Sequence, residues 1–380
     1  MTLAYDTLRL IWWALLVTVA CGFAVLDGFD LGVATLLPFL GKTDEERRVI
    51  VNTIGPTWEA NQVWLVVLVG ASFGAWPLVY AVVFPTLYLA MFGLLAALAL
   101  RPLGFDYRGK LPGPRWRALW DWALFTGGIF PTFILSLALG NLLLGLPFRI
   151  EDDVRVSYSG GVLSLFRPFA LFCALIGVVL FCQHGAAFLH LRAGPPIAER
   201  ARRVGLWCAG IFVTLFVLAG LRVYFGVEGY ALAGDRTVNA LSNPLSKTVT
   251  QAPGAWSANF SQHAGLWAIP AAGIAGAVIT ALSLTRRWAW AAFLASATSV
   301  LAAVLTAAIT MFPFMVPSAS DPRSSLTVWD ASASAHTLNL LSLAVAVFLP
   351  LVLAYTAWVY RVLRGKLTVE QVREQSHSLY

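Results

Sequence analysis

The chain contains nine apolar runs, and each is long enough to cross a lipid bilayer as a helix. They lie at roughly 10–37, 60–76, 78–100, 119–141, 162–190, 204–224, 264–285, 288–312 and 337–361. A bilayer span needs about 20 apolar residues. Only 12% of the residues are charged, which is about half the share in a soluble domain. The sequence therefore predicts an all-α, polytopic membrane protein with about nine transmembrane helices in one integral-membrane domain, residues 1–380.

The distribution of Lys and Arg predicts how the helices are oriented. If the N-terminus is outside, eighteen of the 26 Lys and Arg residues lie in inner loops or in the C-terminal tail. Cytoplasmic loops are enriched in these residues, so an N-out, C-in topology is predicted. The long outer loops are then 226–263 and 313–336, and a short interfacial helix is expected at 245–251. Because the basic residues form short clusters between apolar runs, no nucleic-acid partner is predicted.

Small residues and one proline predict local features of the helices. The apolar stretch from Ala60 to Leu100 is twice the length of one span, and it is expected to turn at Trp76-Pro77. Pairs of glycines four residues apart are typical of closely packed membrane helices. Two such pairs, Gly28/Gly32 and Gly70/Gly74, are predicted to be packing sites.

Two carboxylates interrupt the first apolar run. Asp27 and Asp30 are three residues apart, which places them on one face of a helix, about one turn from each other. Ionisable residues inside membrane spans are costly and are candidates for function. With the N-out topology, these two residues lie in the inner half of their span.

Other charged residues are predicted at the same side of the membrane. The candidates are Asp27, Asp30, Glu59, Arg101, Asp106 and Asp121. Carboxylates in low-dielectric surroundings can exchange protons near neutral pH, so the set predicts proton uptake from the inner side. The alternative is a structural network in which Arg101 pairs with Asp106 or Glu59 and holds the helix ends.

The histidines and cysteines do not form a metal-binding or catalytic pattern. His184 and His190 are six residues apart, on opposite faces of a helix, and both are expected near the membrane interface. The four cysteines lie inside apolar runs without a Cys-x-x-Cys pair, which favours buried thiols. No metal site and no catalytic residue are predicted in this chain.

Several stretches of the sequence strongly resemble subunit II of cytochrome bd quinol oxidases. They extend over the whole chain: Ile11-Trp12-Trp13, Gly22 to Gly32, Trp58 to Leu65, Arg101-Pro102, Gly104 to Arg108, Trp120 to Trp122, Gly140 to Leu142, Met311 to Phe314, Leu326 to Ala331 and Ser376 to Tyr380. The resemblance differs at Glu59, because the family often has Asp at that position.

The resemblance implies a partner, cofactors and a reaction. Family members pair with a larger subunit I as a heterodimer, usually with one or two small single-span subunits. The complex oxidises quinol and reduces O₂ to water in the bacterial cell (inner) membrane. Low-spin haem b, high-spin haem b and haem d are held by subunit I or at its interface, and a bound quinone is associated with subunit II in part of the family. Each large subunit has nine spans, arranged as two four-helix bundles and one peripheral helix.

The resemblance also implies roles for particular residues. Positions matching Asp30 and Glu59 are associated with a proton path from the cytoplasm, and the position of Trp64 with an apolar O₂ path. Two other functions would also place carboxylates inside a membrane: a proton-coupled secondary transporter and a non-catalytic scaffold subunit. No internal repeat of the kind common in transporters is evident in the sequence.

Overall fold

The computed structural model describes residues 3–234, 237–362 and 365–374. The final stretch of the family resemblance, Ser376 to Tyr380, lies outside these residues. The helices are α1 Tyr5–Leu40, α2 Asp44–Ile54, α3 Trp58–Ala75, α4 Pro77–Thr86, α5 Tyr88–Tyr107, α6 Pro114–Leu144, α7 Pro168–Arg192, α8 Ile197–Gly226, α9 Ala258–Gln262, α10 Ala268–Thr285, α11 Ala289–Met311, α12 Ala335–Val362 and α13 Val369–Glu374.

Eight helices in the described part of the chain are long and apolar enough to cross a membrane. They are α1, α5, α6, α7, α8, α10 with the preceding turn Ala264–Trp267, α11 and α12. The second predicted run forms α3, which has 18 residues but begins with the polar residues Glu59, Asn61 and Gln62. The third run forms α4 and most of α5, which are separated at Leu87. Helical membrane architecture is thus confirmed, and α3 is the element on which a count of nine depends.

The turn after the second run lies where the sequence predicts it. α3 ends at Ala75, and α4 begins at Pro77, whose ring suits the first position of a helix. Trp76 between them is fully buried, and its indole donates a hydrogen bond to the Val328 carbonyl (3.2 Å). A segment of the connection between α11 and α12 therefore fixes this turn.

The loops contain three short antiparallel hairpins. β1 Phe148–Ile150 pairs with β2 Val156–Tyr158, β3 Glu228–Ala233 with β4 Thr248–Pro253, and β5 Phe314–Val316 with β6 Leu326–Thr327. The helix predicted at 245–251 is wrong, because this segment runs into β4. Thr248, Val249 and Thr250 are β-branched, which favours an extended strand over a helix.

α1 is the central helix of the fold. It contacts α3, α6, α7 and α11, whereas α7, α8, α10 and α11 pack as a second group. α1 and α7 approach closely at Gly32, where an added Cβ would lie 1.9 Å from the Phe181 carbonyl oxygen. The prediction for the Gly28/Gly32 pair is confirmed. That for Gly70 is wrong, since an added Cβ there meets nothing within 4 Å.

α12 lies at the edge of the molecule. It contacts α1 and α3, and none of its most apolar 18-residue stretch is buried within this chain. Its side chains are therefore available to lipid or to another protein. The helix α12 is therefore peripheral, both to the helices around α1 and to the group formed by α7, α8, α10 and α11.

Candidate functional site: a buried charge cluster

A buried ion pair links helices α1 and α5. The Arg101 guanidinium of α5 donates two hydrogen bonds to the Asp27 carboxylate of α1, at 2.7 Å (Nη2 to Oδ1) and 2.9 Å (Nη1 to Oδ2). Both side chains are no more than 1% exposed. Gly127 of α6 leaves room for the arginine, because a Cβ there would lie 2.9 Å from Arg101 Cγ. Paired, bidentate geometry of this kind is what makes a buried charge tolerable.

Asp30 lies one turn further along α1 and is also fully buried. Its Oδ2 accepts a hydrogen bond from the Asn61 amide of α3 (2.7 Å), and Asn61 Oδ1 accepts one from the Tyr360 hydroxyl of α12 (2.8 Å). The Oδ1 atom of Asp30 has no hydrogen-bond partner among the described residues. The predicted placement of Asp27 and Asp30 on one helix face is confirmed, and Asn61 and Tyr360 join them.

The cluster contains one cation for two carboxylates. Arg101 pairs with Asp27, donates a 3.4 Å hydrogen bond to Gln62 and lies over the Trp58 ring, 5.5 Å from the ring centroid. Asp30 therefore has an amide as its partner rather than a positive charge. Burying two carboxylates beside a single cation costs free energy. Arg101 offsets this cost at Asp27, whereas the direct partner of Asp30 is the neutral amide of Asn61.

Glu59 and Asp106 lie outside this cluster. Both side chains are exposed, and neither forms a salt bridge within the described chain. The predicted pairing of Arg101 with Asp106 or Glu59 is wrong. Asp106 is five residues after Arg101, which rotates it by about 140° to another face of the helix.

Asp121 belongs to a separate network at the end of the bundle. It accepts hydrogen bonds from Arg108 Nε (2.6 Å) and Arg47 Nη1 (3.0 Å). Arg108 also contacts Asp44 (2.8 Å), which Arg117 approaches to 2.5 Å. This network fastens α2 to α5 and α6, so the structure gives Asp121 a holding role, away from Asp30.

A second clamp at the same end was missed by the sequence reasoning. Glu46 of α2 accepts two hydrogen bonds from Arg200 of α8 (2.7 and 2.8 Å), and Arg200 also bonds the Leu40 carbonyl. Hydrogen bonding from Arg200 lowers the pKa of Glu46 to about 2. Thr43 and Glu46 also form a capping box, a sequence pattern that indicates where α2 begins. The contact with Arg200 leaves no such pattern in the sequence.

Trp64 is buried in α3 against α1. A Cβ added to Gly22 would lie 2.6 Å from its ring, so the indole rests directly on that glycine. Val19, Phe23 and Leu65 belong to the same apolar cluster. These contacts give Trp64 a packing role, and its part in O₂ movement stays a prediction.

The most buried of the described histidines, His184, does not fit as a haem ligand. His184 is fully buried rather than interfacial: Nε2 donates to the Val25 carbonyl (3.0 Å), and Nδ1 lies 2.8 Å from the Ser296 hydroxyl. His190 is also buried; its Nδ1 bonds the Ala198 carbonyl (3.1 Å), whereas its Nε2 has no hydrogen-bond partner among the described residues. His184 thus offers no free ring nitrogen to an iron, and the described residues contain no cluster of potential metal ligands.

A cavity of about 490 Å³ opens beside the cluster. Tyr360, whose hydroxyl bonds Asn61, forms part of its wall together with Thr57. Phe188 of α7 and Phe293 of α11 line the opposite side. The hydrogen-bond chain from Asp30 therefore ends at the wall of this cavity.

Comparisons with known proteins agree over nearly the whole chain. A family model described as "Cytochrome bd terminal oxidase subunit II" matches residues 8–363. The chain is 42% identical to "Cytochrome bd-I ubiquinol oxidase subunit 2" of Escherichia coli (strain K12), over 99% of both chains. It is 29% identical to "Cytochrome bd ubiquinol oxidase subunit 2" of Bacillus subtilis (strain 168), over 94% of this chain and 96% of the relative.

A solved structure shares the fold. "The structure of bd oxidase from Geobacillus thermodenitrificans" contains a chain that matches with a TM-score of 0.65 at 20% identity, covering 95% of this chain and 100% of that one. A match at this sequence identity shows that the two chains share a fold and nothing further.

The fold and the buried charge cluster define a multi-pass helical protein of the bacterial inner membrane, with ionisable groups held between its helices. More specifically, the chain belongs to the family of cytochrome bd terminal oxidase subunit II. The resemblance read from the sequence is thereby confirmed.

Proposed function

We propose that this chain is the subunit II of a quinol oxidase complex that oxidises quinol and reduces O₂ to water. The observation that carries the proposal is the 42% identity to a ubiquinol oxidase subunit over 99% of both chains. The partner is a haem-bearing subunit I, with one or two small single-span subunits. In the membrane the chain crosses nine times, N-out and C-in, as two four-helix groups with α12 at the periphery.

The haems b and d of such a complex are held by subunit I. His184 supports this assignment, because both of its ring nitrogens are engaged in hydrogen bonds and neither is free for iron. The chain then supplies structure and proton transfer rather than redox chemistry. A bound quinone in this chain is a further part of the proposal.

Asp30 is the residue we assign to proton uptake. Reduction of O₂ to water consumes protons, and taking them from the cytoplasm builds a gradient across the membrane. Asp30 is buried and forms no salt bridge with a described residue, so a proton can balance its charge. Asp27 is already balanced by Arg101 and serves to hold α1 against α5. Exposed Glu59 would accept protons at the cytoplasmic surface before the buried step, and we assign no step to Asp106.

Asp30→Asn tests this role, with Asp106→Asn as the control that removes an exposed carboxylate. We expect Asp30→Asn to lower quinol oxidase turnover and proton uptake in proteoliposomes by about ten-fold or more. Asp106→Asn should retain most of both activities. Haem spectra of the two complexes should match the parent, which shows that assembly is intact.

The alternative is a scaffold subunit without a proton path. The holding roles of Asp27 with Arg101 and of Asp121 with Arg108 favour it. Full turnover and proton uptake in Asp30→Asn would support this alternative and reject the proton path.

For Trp64, an O₂ role predicts that Trp64→Phe changes the apparent KM for O₂ and leaves the quinol KM unchanged.

A further inference from the structure

The cavity beside Tyr360 has apolar walls along most of its depth. Its lining includes Phe188 and Leu191 of α7, Trp290 and Phe293 of α11, and Pro56 from the segment before α3. A volume of about 490 Å³ is in the range of sites that hold small organic ligands. A cavity with such walls suits a hydrocarbon chain.

Two cations, Arg192 and Lys366, also line this cavity. Arg192 is half-buried and forms no salt bridge or side-chain hydrogen bond within the described residues. A partly buried guanidinium loses part of its hydration, so its charge favours the binding of a counter-ion. Lys366 is exposed, and no Asp or Glu is among the residues that line the cavity.

Backbone hydrogen bonds bring together the two segments that carry these residues. Leu367 N donates to the Arg192 carbonyl (2.8 Å), and Gly194 N donates to the Leu367 carbonyl (2.9 Å). This bridge ties the segment after α12 to the end of α7. Lys366 is therefore anchored next to Arg192 rather than carried on a free tail.

We propose that this cavity binds one anionic phospholipid. Its phosphate lies between Arg192 and Lys366, and an acyl chain extends along Phe188, Trp290 and Phe293. The predicted topology places the cavity at the cytoplasmic leaflet, which is rich in acidic lipids, and basic pockets between helices on that side bind such head groups. A small soluble anion would account for the cations but not for the apolar walls. The proposal does not depend on the proton role of Asp30.

The test uses the purified oxidase complex, stripped of lipid in detergent and titrated with dioleoyl phosphatidylglycerol. We expect saturable binding of phosphatidylglycerol, and much weaker binding of dioleoyl phosphatidylcholine. The variant Arg192→Gln/Lys366→Gln should bind phosphatidylglycerol at least about ten-fold more weakly, because each basic residue near the surface contributes roughly five-fold. The control Lys42→Gln/Lys110→Gln changes two exposed cations of the predicted inner loops and should bind like the parent.

Additional variants make the result decisive. Arg192→Lys keeps the charge and should recover most of the binding, provided that haem content matches the parent. A photoreactive residue in Trp290→p-benzoylphenylalanine should cross-link to lipid in native membranes. Unchanged phosphatidylglycerol binding by the double variant, equal binding of phosphatidylcholine, displacement by millimolar inorganic phosphate, or a cross-link to protein instead of lipid would each overturn the proposal.

Discussion

The buried ion pair between Asp27 and Arg101 should make the protein sensitive to the loss of either member alone. Both side chains are at most 1% exposed, and two hydrogen bonds of 2.7 and 2.9 Å join them. At 4 Å and an effective dielectric constant near 20, two unit charges attract by about 4 kcal/mol. Removing one member of a buried pair costs about 3–5 kcal/mol, because the other charge stays buried without a partner.

Three variants separate this effect from a simple change in shape. Asp27→Leu and Arg101→Met should each lower the free energy of unfolding by about 3–5 kcal/mol, whereas the double variant should lose much less. The assay is SDS-induced unfolding of the complex in mixed micelles, followed by the haem spectrum. Asp106→Leu, which removes an exposed carboxylate without a salt bridge, is the control and should unfold like the parent.

The outcome of this cycle can refute the reasoning. If Asp27→Leu is as stable as Asp106→Leu, leaving Arg101 buried without its partner has no cost. If the losses of the two single variants add in the double variant, the side chains are not coupled. Either result would remove the distinction drawn between a structural Asp27 and a proton-carrying Asp30.

Three further predictions concern helix contact, pH and proton transfer. Gly32→Ala should impair assembly, since its Cβ would lie 1.9 Å from a backbone oxygen of α7, whereas Gly70→Ala, which meets nothing within 4 Å, should assemble normally on size-exclusion chromatography. The pKa of Glu46 is lowered to about 2 by Arg200, so its contribution is present at neutral pH and is lost as pH falls towards 2; the melting-temperature difference between Glu46→Gln and the parent should be constant from pH 8 to 6 and shrink in acid. Tyr360→Phe removes the hydroxyl donor to the asparagine of the cluster and should slow proton uptake without changing the haem spectrum; an unchanged rate would exclude Tyr360 from the path.

The membrane fold could be predicted because it depends on local patterns. Runs of apolar residues indicate spans, Trp76-Pro77 indicates the turn between α3 and α4, and Gly32 indicates the close contact of α1 with α7. Each of these signals lies within one segment of sequence. The β4 strand was missed because the turn residues around it are compatible with either a helix or a hairpin.

The partners of the buried charges could not be predicted in the same way. The structural alternative paired Arg101 with Asp106 or Glu59, but Arg101 faces α1 and binds Asp27, which is 74 residues away. Tyr360 donates a hydrogen bond to Asn61, which is 299 residues away, and Asn61 links it to Asp30. Such contacts depend on how helices pack against each other, and spacing along one helix carries no information about them.

The visible spectrum of the complex purified through this chain tests the central claim most directly. A subunit II of a cytochrome bd quinol oxidase predicts that haem b and haem d bands co-purify with the chain, together with quinol-dependent O₂ consumption. A monodisperse, haem-free protein without oxidase activity, isolated from cells that express the whole complex, would contradict the account.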